Sequence, residues 1–183
     1  MIPMQDVVSW TTLISGYTEH GYSDRALECF KQMQEKDIVP NAVTFLCTVR
    51  ACSSLKAIDE GCEIHGEVEC KGLIETDPLI GNVIVDMYAK FGSIEDAFKV
   101  FDSLKNPSKV SWSSLMGGYV KHGDGLLGLE LFTRMQRKGI EPDKVAYLSA
   151  LKACSITSTL MHGKLIHNHV VRSGHECDTA IGN

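Results

Sequence analysis

The sequence has no hydrophobic run long enough to cross a membrane and no leader rich in arginine or serine. Its apolar stretches fall short of the ~18 residues that a membrane helix needs. The N-terminal MIPMQD resembles neither a signal peptide nor a transit peptide. We therefore predict no membrane partner, and we expect any import signal to lie outside these 183 residues.

The sequence also lacks an excess of positive charge and a cysteine framework. Its net charge is −5, which weakens the case for a nucleic-acid partner because phosphate contacts supply most non-specific affinity. Net charge does not, however, say where the charges lie. The seven cysteines have no paired short spacing. We predict reduced, mostly buried thiols in a fold that needs neither a disulfide nor a metal.

Catalytic motifs are incomplete in this sequence. Residues 65–67 (HGE) spell the H-x-E half of a zinc deaminase, but the P-C-x-x-C half is missing. Cys62, His65 and Cys70 could be imagined as zinc ligands. There is no glycine-rich phosphate loop and no defensible nucleophile–base pair. We therefore predict no enzyme activity, no small-molecule substrate, no cofactor and no metal.

The sequence contains an internal repeat. Shifted by 102 residues it aligns with itself, so that VSWTTLISGYTEHG (Val8–Gly21) matches VSWSSLMGGYVKHG (Val110–Gly123). Chance does not align Trp, Tyr and Gly together over such a stretch. Apolar residues at helical spacing flank the turn HGYSD, in which Gly21 is predicted to end one helix and Ser23 to cap the next. The pattern predicts helix, turn, helix.

The 102-residue period divides into three such helix pairs. We place the repeats at 7–41, 42–77, 78–108, 109–143 and 144–178, with partial repeats at 1–6 and 179–183. Because one helix pair cannot bury its apolar face alone, the pairs are predicted to stack. The expected fold is an all-α, right-handed superhelical solenoid of helix–turn–helix repeats over residues 1–183. We expect it to be a fragment of a longer array.

Residues 7–41 resemble a pentatricopeptide repeat nearly throughout. Residues 43–72 resemble the long repeat variant and residues 80–102 the short variant, and the order standard, long, short then starts again. This order is similar to that of the plant organellar subclass, which mostly supports cytidine-to-uridine editing of organellar transcripts. The resemblance implies single-stranded RNA as a partner, an editing or processing enzyme as a second partner, and a location in the mitochondrion or chloroplast. A tetratricopeptide array, the nearest rival, would keep one period of about 34 residues.

The resemblance also implies site residues, with one base bound per repeat. In the family the second residue of a repeat packs against base faces, and the fifth and last residues address the base edge. The packing positions here are all aliphatic: Val8, Val43, Leu79, Val110 and Val145. The edge positions are Thr11 with Asn41, a pair that favours adenine in the family; Asn82 with Ser108, for cytosine; and Ser113 with Asp143, for guanine. Leu46 and Leu148, the fifth residues of the long repeats, cannot hydrogen-bond a base, so these repeats are predicted to be spacers.

Two functions remain open from the sequence. The first is sequence-selective binding of single-stranded RNA. The second is a protein-interaction solenoid without an RNA ligand, favoured by the negative charge and by Leu46 and Leu148. For the site residues themselves, ordinary packing at helix starts and helix N-capping by Asn41 and Asp143 are the simpler explanations.

Overall fold

The structure, a computed structural model, describes residues 6–158, which are helices joined by short turns. In chain order these are α1 (Val7–Glu19), α2 (Ser23–Glu35), α3 (Ala42–Leu55), α4 (Ile58–Cys70), α5 (Leu73–Thr76), α6 (Pro78–Phe91), α7 (Ile94–Ser103), α8 (Lys109–Lys121), α9 (Gly125–Arg137) and α10 (Lys144–Thr157). We call α1, α3, α6, α8 and α10 the first helices, because each begins at the first residue of a repeat placed from the sequence. The second helices are α2, α4, α7 and α9.

The chain divides into two compact units, Met1–Asn106 and Pro107–Asn183, here called the N-terminal and C-terminal units. In the N-terminal unit α1 packs on α2, α3 on α4, and α6 on α7. Successive pairs are joined because α3 contacts both α1 and α2, and α6 contacts both α3 and α4. The core between them is apolar, and Ile14, Met33, Phe45, Ile84 and Phe101 are almost fully buried. Each pair thus covers the apolar face of its neighbour.

The C-terminal unit repeats this packing with α8, α9 and α10 in mutual contact. Trp112, Leu115 and Met135 are fully buried among them. The aromatic contact between α2 and α3, with Phe30 and Phe45 ring centroids 6.0 Å apart, has its counterpart at 5.8 Å between Phe132 and Tyr147. The 102-residue shift in sequence is therefore also a correspondence of packed residues.

Three of the turns between a first and a second helix contain a glycine in the left-handed region. Gly21, Gly92 and Gly123 have φ values of +79°, +90° and +91°. A residue with a side chain would adopt such a backbone conformation only with strain. The next residue's N–H then bonds a carbonyl five residues back, as from Tyr22 to Tyr17 at 2.9 Å. The predicted helix end at Gly21 is confirmed. The predicted cap at Ser23 is wrong, because Ser23 is the buried first residue of α2.

All six described cysteines are free thiols, but their burial differs from the prediction. Cys47, Cys52 and Cys154 are buried, whereas Cys62 and Cys70 are exposed. Burial raises the pKa of the Cys52 thiol to about 12, so it stays protonated near neutral pH. The prediction of mostly buried thiols is thus wrong for the two cysteines on α4, and Cys177 lies outside the described residues.

Candidate nucleic-acid interface

Each first helix carries an exposed aliphatic side chain at its second residue. The exposed fractions are 66% for Val8, 51% for Val43, 62% for Leu79, 59% for Val110 and 53% for Val145. More than half of the surface of each residue therefore faces solvent, which excludes ordinary packing at the helix start as the reason for its apolar character. An aliphatic residue left exposed at the same place in five helices is available to contact a ligand.

The residue before each first helix caps that helix with its side chain. These caps are Asp6, Asn41, Asp77, Ser108 and Asp143, and each accepts a hydrogen bond from a backbone N–H in the first turn. The second helices α2, α4, α7 and α9 have no side-chain cap. Four of the five caps are the last residues of complete repeats, and Asp6 is the last residue of the partial repeat 1–6. The position that the family uses for the base edge is therefore also a helix cap in this chain.

In the repeat 7–41 the fifth and last residues are connected through a third residue. Thr11 Oγ1 lies 2.7 Å from Thr44 Oγ1. Thr44 donates to Asn41 Oδ1 twice, from its backbone N–H at 2.9 Å and from its hydroxyl at 3.0 Å. Because the single hydroxyl proton of Thr44 goes to Asn41, Thr11 is the donor to Thr44. Thr11 is only 9% exposed and Thr44 is fully buried, whereas Asn41 is exposed.

In the repeat 109–143 the corresponding contact is direct. Ser113 Oγ lies 2.8 Å from Asp143 Oδ1 and 2.9 Å from the Lys109 carbonyl. The same Asp143 oxygen accepts from the Ala146 N–H at 2.8 Å. Ser113 is 3% exposed and Asp143 is partly exposed. In both repeats, then, the fifth residue is buried behind the cap, and the cap is the polar group nearer to solvent.

Asn82 and Ser108, the third pair, belong to different units. Asn82 Nδ2 donates to the Pro78 carbonyl, one turn back along α6. Ser108 caps α8 through the Ser111 N–H at 3.2 Å, and the hydroxyls of Ser108 and Ser111 are 3.1 Å apart. Leu46 and Leu148, the fifth residues of the long repeats, are half-buried.

The net charge differs in sign between the two parts of the chain. Residues 1–106 contain nine Lys and Arg against 17 Asp and Glu, a net charge of −8, whereas residues 107–183 contain nine against six, a net charge of +3. In the C-terminal unit Lys121 and Lys152 line a groove of about 490 Å³ between α8 and α10. The residues 102 positions earlier are Glu19 and Arg50. Although the net charge of the chain is −5, the groove between α8 and α10 is therefore lined by two lysines.

The histidine of the H-x-E motif packs against α6, whereas Glu67 bonds Gln34 of α2. The Nδ1 atom of His65 is 3.0 Å from the Tyr88 hydroxyl, and the two rings are 5.4 Å apart. Burial lowers the pKa of His65, so its imidazole is neutral near pH 7. Within residues 6–158 no group of three or more His, Cys, Asp or Glu side chains could hold a metal ion. In the same range no helix is long and apolar enough to cross a membrane.

Thr44 is the residue of this site that the sequence analysis missed. The signal was present as Asn41-x-x-Thr44, a spacing in which the cap and the third helical residue bond each other reciprocally. It was overlooked because a threonine in a helix carries no functional meaning by itself. Its contact with Thr11 joins residues 33 positions apart, which only the packing of α1 on α3 reveals.

Comparison with known proteins gives the family. The chain matches the PPR repeat family over residues 5–54 and 107–155, and the PPR repeat over residues 82–106. The pentatricopeptide repeat-containing protein At5g27110 of Arabidopsis thaliana is 38% identical over 172 residues, which are 94% of this chain and 25% of that protein. The pentatricopeptide repeat-containing protein DOT4, chloroplastic, of the same plant is 38% identical over 175 residues, or 95% of this chain and 20% of the relative. This chain spans about a quarter of the length of such relatives.

A solved structure agrees with the fold. The crystal structure of the pentatricopeptide repeat protein PPR10 of maize in complex with an 18-nt psaJ RNA element matches with a TM-score of 0.68 and 18% identity, over 88% of this chain and 24% of that one. The predicted fold class, an all-α solenoid of helix–turn–helix repeats, is confirmed by this likeness. Since the family matches extend over more than half of its residues, the chain belongs to the pentatricopeptide repeat family.

Proposed function

We propose that this chain binds single-stranded RNA with sequence selectivity, one base per repeat, through the starts of its first helices. The observation that carries the proposal is the recurrence of an exposed aliphatic residue beside a polar helix cap. The aliphatic side chain can pack on the face of an unstacked base, and the cap can hydrogen-bond its edge. The RNA bound to PPR10, a protein of the same fold, supports this proposal.

The helix caps Asn41 and Asp143 offer opposite hydrogen-bonding groups to a ligand. Because Asn41 Oδ1 accepts from Thr44, the end of the amide that remains for a ligand is the nitrogen with its two donors. Asp143, as a carboxylate, can only accept. A donor suits the N1 acceptor of adenine, and an acceptor suits the N1–H and N2–H donors of guanine. This polarity supports adenine at repeat 7–41 and guanine at repeat 109–143.

The buried fifth residues contribute to selectivity mainly through the caps. Thr11 and Ser113 are 9% and 3% exposed, so little of either hydroxyl can touch a base directly. Their hydrogen bonds instead hold Asn41, through Thr44, and Asp143. For repeat 78–108 the assignment of cytosine to Asn82 and Ser108 follows from the family resemblance.

The distribution of charge supports RNA binding that is centred on the second part of the chain. Lys121 and Lys152 lie in the α8–α10 groove of the C-terminal unit, where phosphates could approach them. The acidic residues of α4, such as Glu63 and Glu69, are exposed on a second helix. Phosphate contacts therefore come from residues 107–183, whose net charge is +3.

The biological role that we propose is to position an RNA-editing or processing enzyme on a transcript in the mitochondrion or chloroplast. The name of the relative DOT4 places that protein in the chloroplast, which supports an organellar location. In this role the chain supplies selective binding, and the partner enzyme supplies the chemistry.

The test is an anisotropy titration with labelled RNA of core sequence AUCGU, flanked by uridines, in a series of salt concentrations. We expect the logarithm of the binding constant to fall linearly with that of salt concentration, by ~0.7 for each phosphate contact. Scrambling the A, C and G should weaken binding, since each base contact contributes ~1–3 kcal/mol. No binding at low salt would reject RNA as the ligand and leave the protein-interaction alternative.

A further inference from the structure

We propose that Thr44 is a positioning residue for base recognition by the preceding repeat, because its hydroxyl holds the amide of Asn41 in the orientation that presents donors to the base. This inference rests on the proposed function and deepens it at one repeat. Thr44 itself is fully buried, so its effect on RNA passes entirely through Asn41.

The orientation of the Asn41 amide is defined by one donor that cannot change its role and is reinforced by a hydroxyl. A backbone N–H can only donate, so the Asn41 atom 2.9 Å from the Thr44 nitrogen must be oxygen. The Thr44 hydroxyl, 3.0 Å from the same oxygen, adds a second donor. Its own oxygen accepts from Thr11 at 2.7 Å and from the Asn41 N–H at 3.3 Å. A chain of hydrogen bonds thus runs from Thr11 through Thr44 to Asn41.

An amide needs such orientation, whereas a carboxylate does not. Rotating the Asn41 amide by 180° about its last bond would exchange donors for an acceptor and so change which bases it can bind. The two oxygens of a carboxylate are equivalent, so the same rotation changes nothing. Orientation by a neighbouring hydroxyl is therefore useful to an asparagine and superfluous for an aspartate.

The residues at the same place after two of the aspartate caps fit this distinction. Three positions after Asp143 stands Ala146, and three positions after Asp77 stands Ile80, both fully buried. Neither has a hydroxyl. The asparagine cap has a threonine there. Of the three aspartate caps, Asp77 and Asp143 have apolar residues there, whereas Asp6 has Ser9. In the repeat with Ala146 the fifth residue, Ser113, bonds its cap directly at 2.8 Å.

The experiment measures base preference in Thr44→Val, which keeps the shape of the side chain and removes the hydroxyl. Four labelled RNAs with A, G, C or U at the first core position are titrated against each variant of the 183-residue chain. We expect the parent chain to prefer adenine over guanine. We expect Thr44→Val to reduce this preference about fivefold, which corresponds to the loss of one hydrogen bond. Thr44→Ser, which keeps a hydroxyl, should retain it.

The matched control is Thr48→Val. Thr48 is also fully buried in α3 and donates its hydroxyl to the Thr44 carbonyl at 2.7 Å. Its loss should affect stability, measured by thermal unfolding, without changing the order of the four bases. If Thr44→Val does not fold, Thr44→Ala replaces it, because alanine stands at this position in α10.

A double-mutant cycle separates positioning from a structural role. In an Asn41→Asp background the cap is symmetric, and Thr44→Val should leave the base preference unchanged. Equal weakening of all four RNAs by Thr44→Val, or an unchanged preference for adenine, would overturn the positioning role while leaving RNA binding intact. A parent chain that binds no RNA, or binds all four equally, would overturn the proposed base recognition and this inference together.

Discussion

Val43→Ala tests whether the exposed aliphatic residues contact bases. The substitution removes two carbon groups from a side chain that is 51% exposed, so a base can cover about half of its surface. At ~0.8 kcal/mol for each fully buried CH₂ group, the loss on binding is about 0.8 kcal/mol. This corresponds to a roughly fourfold rise in Kd.

Val39→Ala is the matched control. Val39 is another valine of the same unit and is 68% exposed, but it lies in the turn before α3 and not at the second residue of a first helix. Its replacement should leave Kd unchanged. Both variants should unfold close to the temperature of the parent chain, because neither side chain contributes much to the core.

The assay is fluorescence anisotropy at low salt, where weak binding by a few repeats is measurable. Thermal unfolding followed by circular dichroism is recorded for the same samples. An equal rise in Kd for the two variants would show that exposed apolar surface acts non-specifically. An unchanged Kd for Val43→Ala, with RNA still bound, would refute the contact between this side chain and a base.

Three further predictions concern charge, packing and base choice. Lys121→Gln should reduce the slope of log K against log salt by ~0.7, because it removes one phosphate contact in the α8–α10 groove; an unchanged slope in the salt titration would place the phosphate elsewhere. Gly66→Ala should stabilise α4 by about 1 kcal/mol, because nothing lies within 4 Å of the added Cβ. Gly61→Ala should destabilise it by about 1 kcal/mol after overpacking is set against helix propensity, because its Cβ would lie 2.8 Å from the Phe91 ring; melting temperatures that shift alike would contradict this. Ser108→Asp should move the preference of repeat 78–108 from cytosine toward uracil, as that pairing does in the family; titration with RNAs differing at the third base checks it, and an unchanged preference with binding intact rejects the assignment.

The helices were predictable because two periodicities coincide in this sequence. The 102-residue self-match located equivalent turns, and the helical spacing of Trp10 and Ile14, both buried, located the apolar face. Finer features were not predictable from pattern alone. The single turn α5 (Leu73–Thr76) has too few residues to show a period. Ser23 was mistaken for a cap because a serine after a glycine turn matches the usual signal.

The positions of the candidate site came from the family resemblance, but the connections among them depend on packing. No local pattern distinguishes the direct bond of Ser113 to Asp143 from the indirect connection of Thr11 to Asn41. The difference arises because α3 presents Thr44 where α10 presents Ala146. Likewise, the exposure of Val8 and Val145 follows from which face of each helix meets its neighbours, and sequence periodicity fixes that face only approximately.

The double duty that we propose for the repeat-closing residues, capping a helix and reading a base, would limit how this protein can evolve new targets. Asn41, Asp77, Ser108 and Asp143 all cap a helix, and replacing such a cap by alanine costs about 1 kcal/mol of stability. A mutation that alters base choice is therefore tolerated most easily when the new residue is also a good cap. That requirement restricts the residue types at this position to a few short polar ones. Their side chains differ chiefly in the hydrogen-bonding groups that they offer. If these residues read bases as we propose, a small set of residue–base pairings would follow from helix capping alone, before any selection for a particular transcript acts.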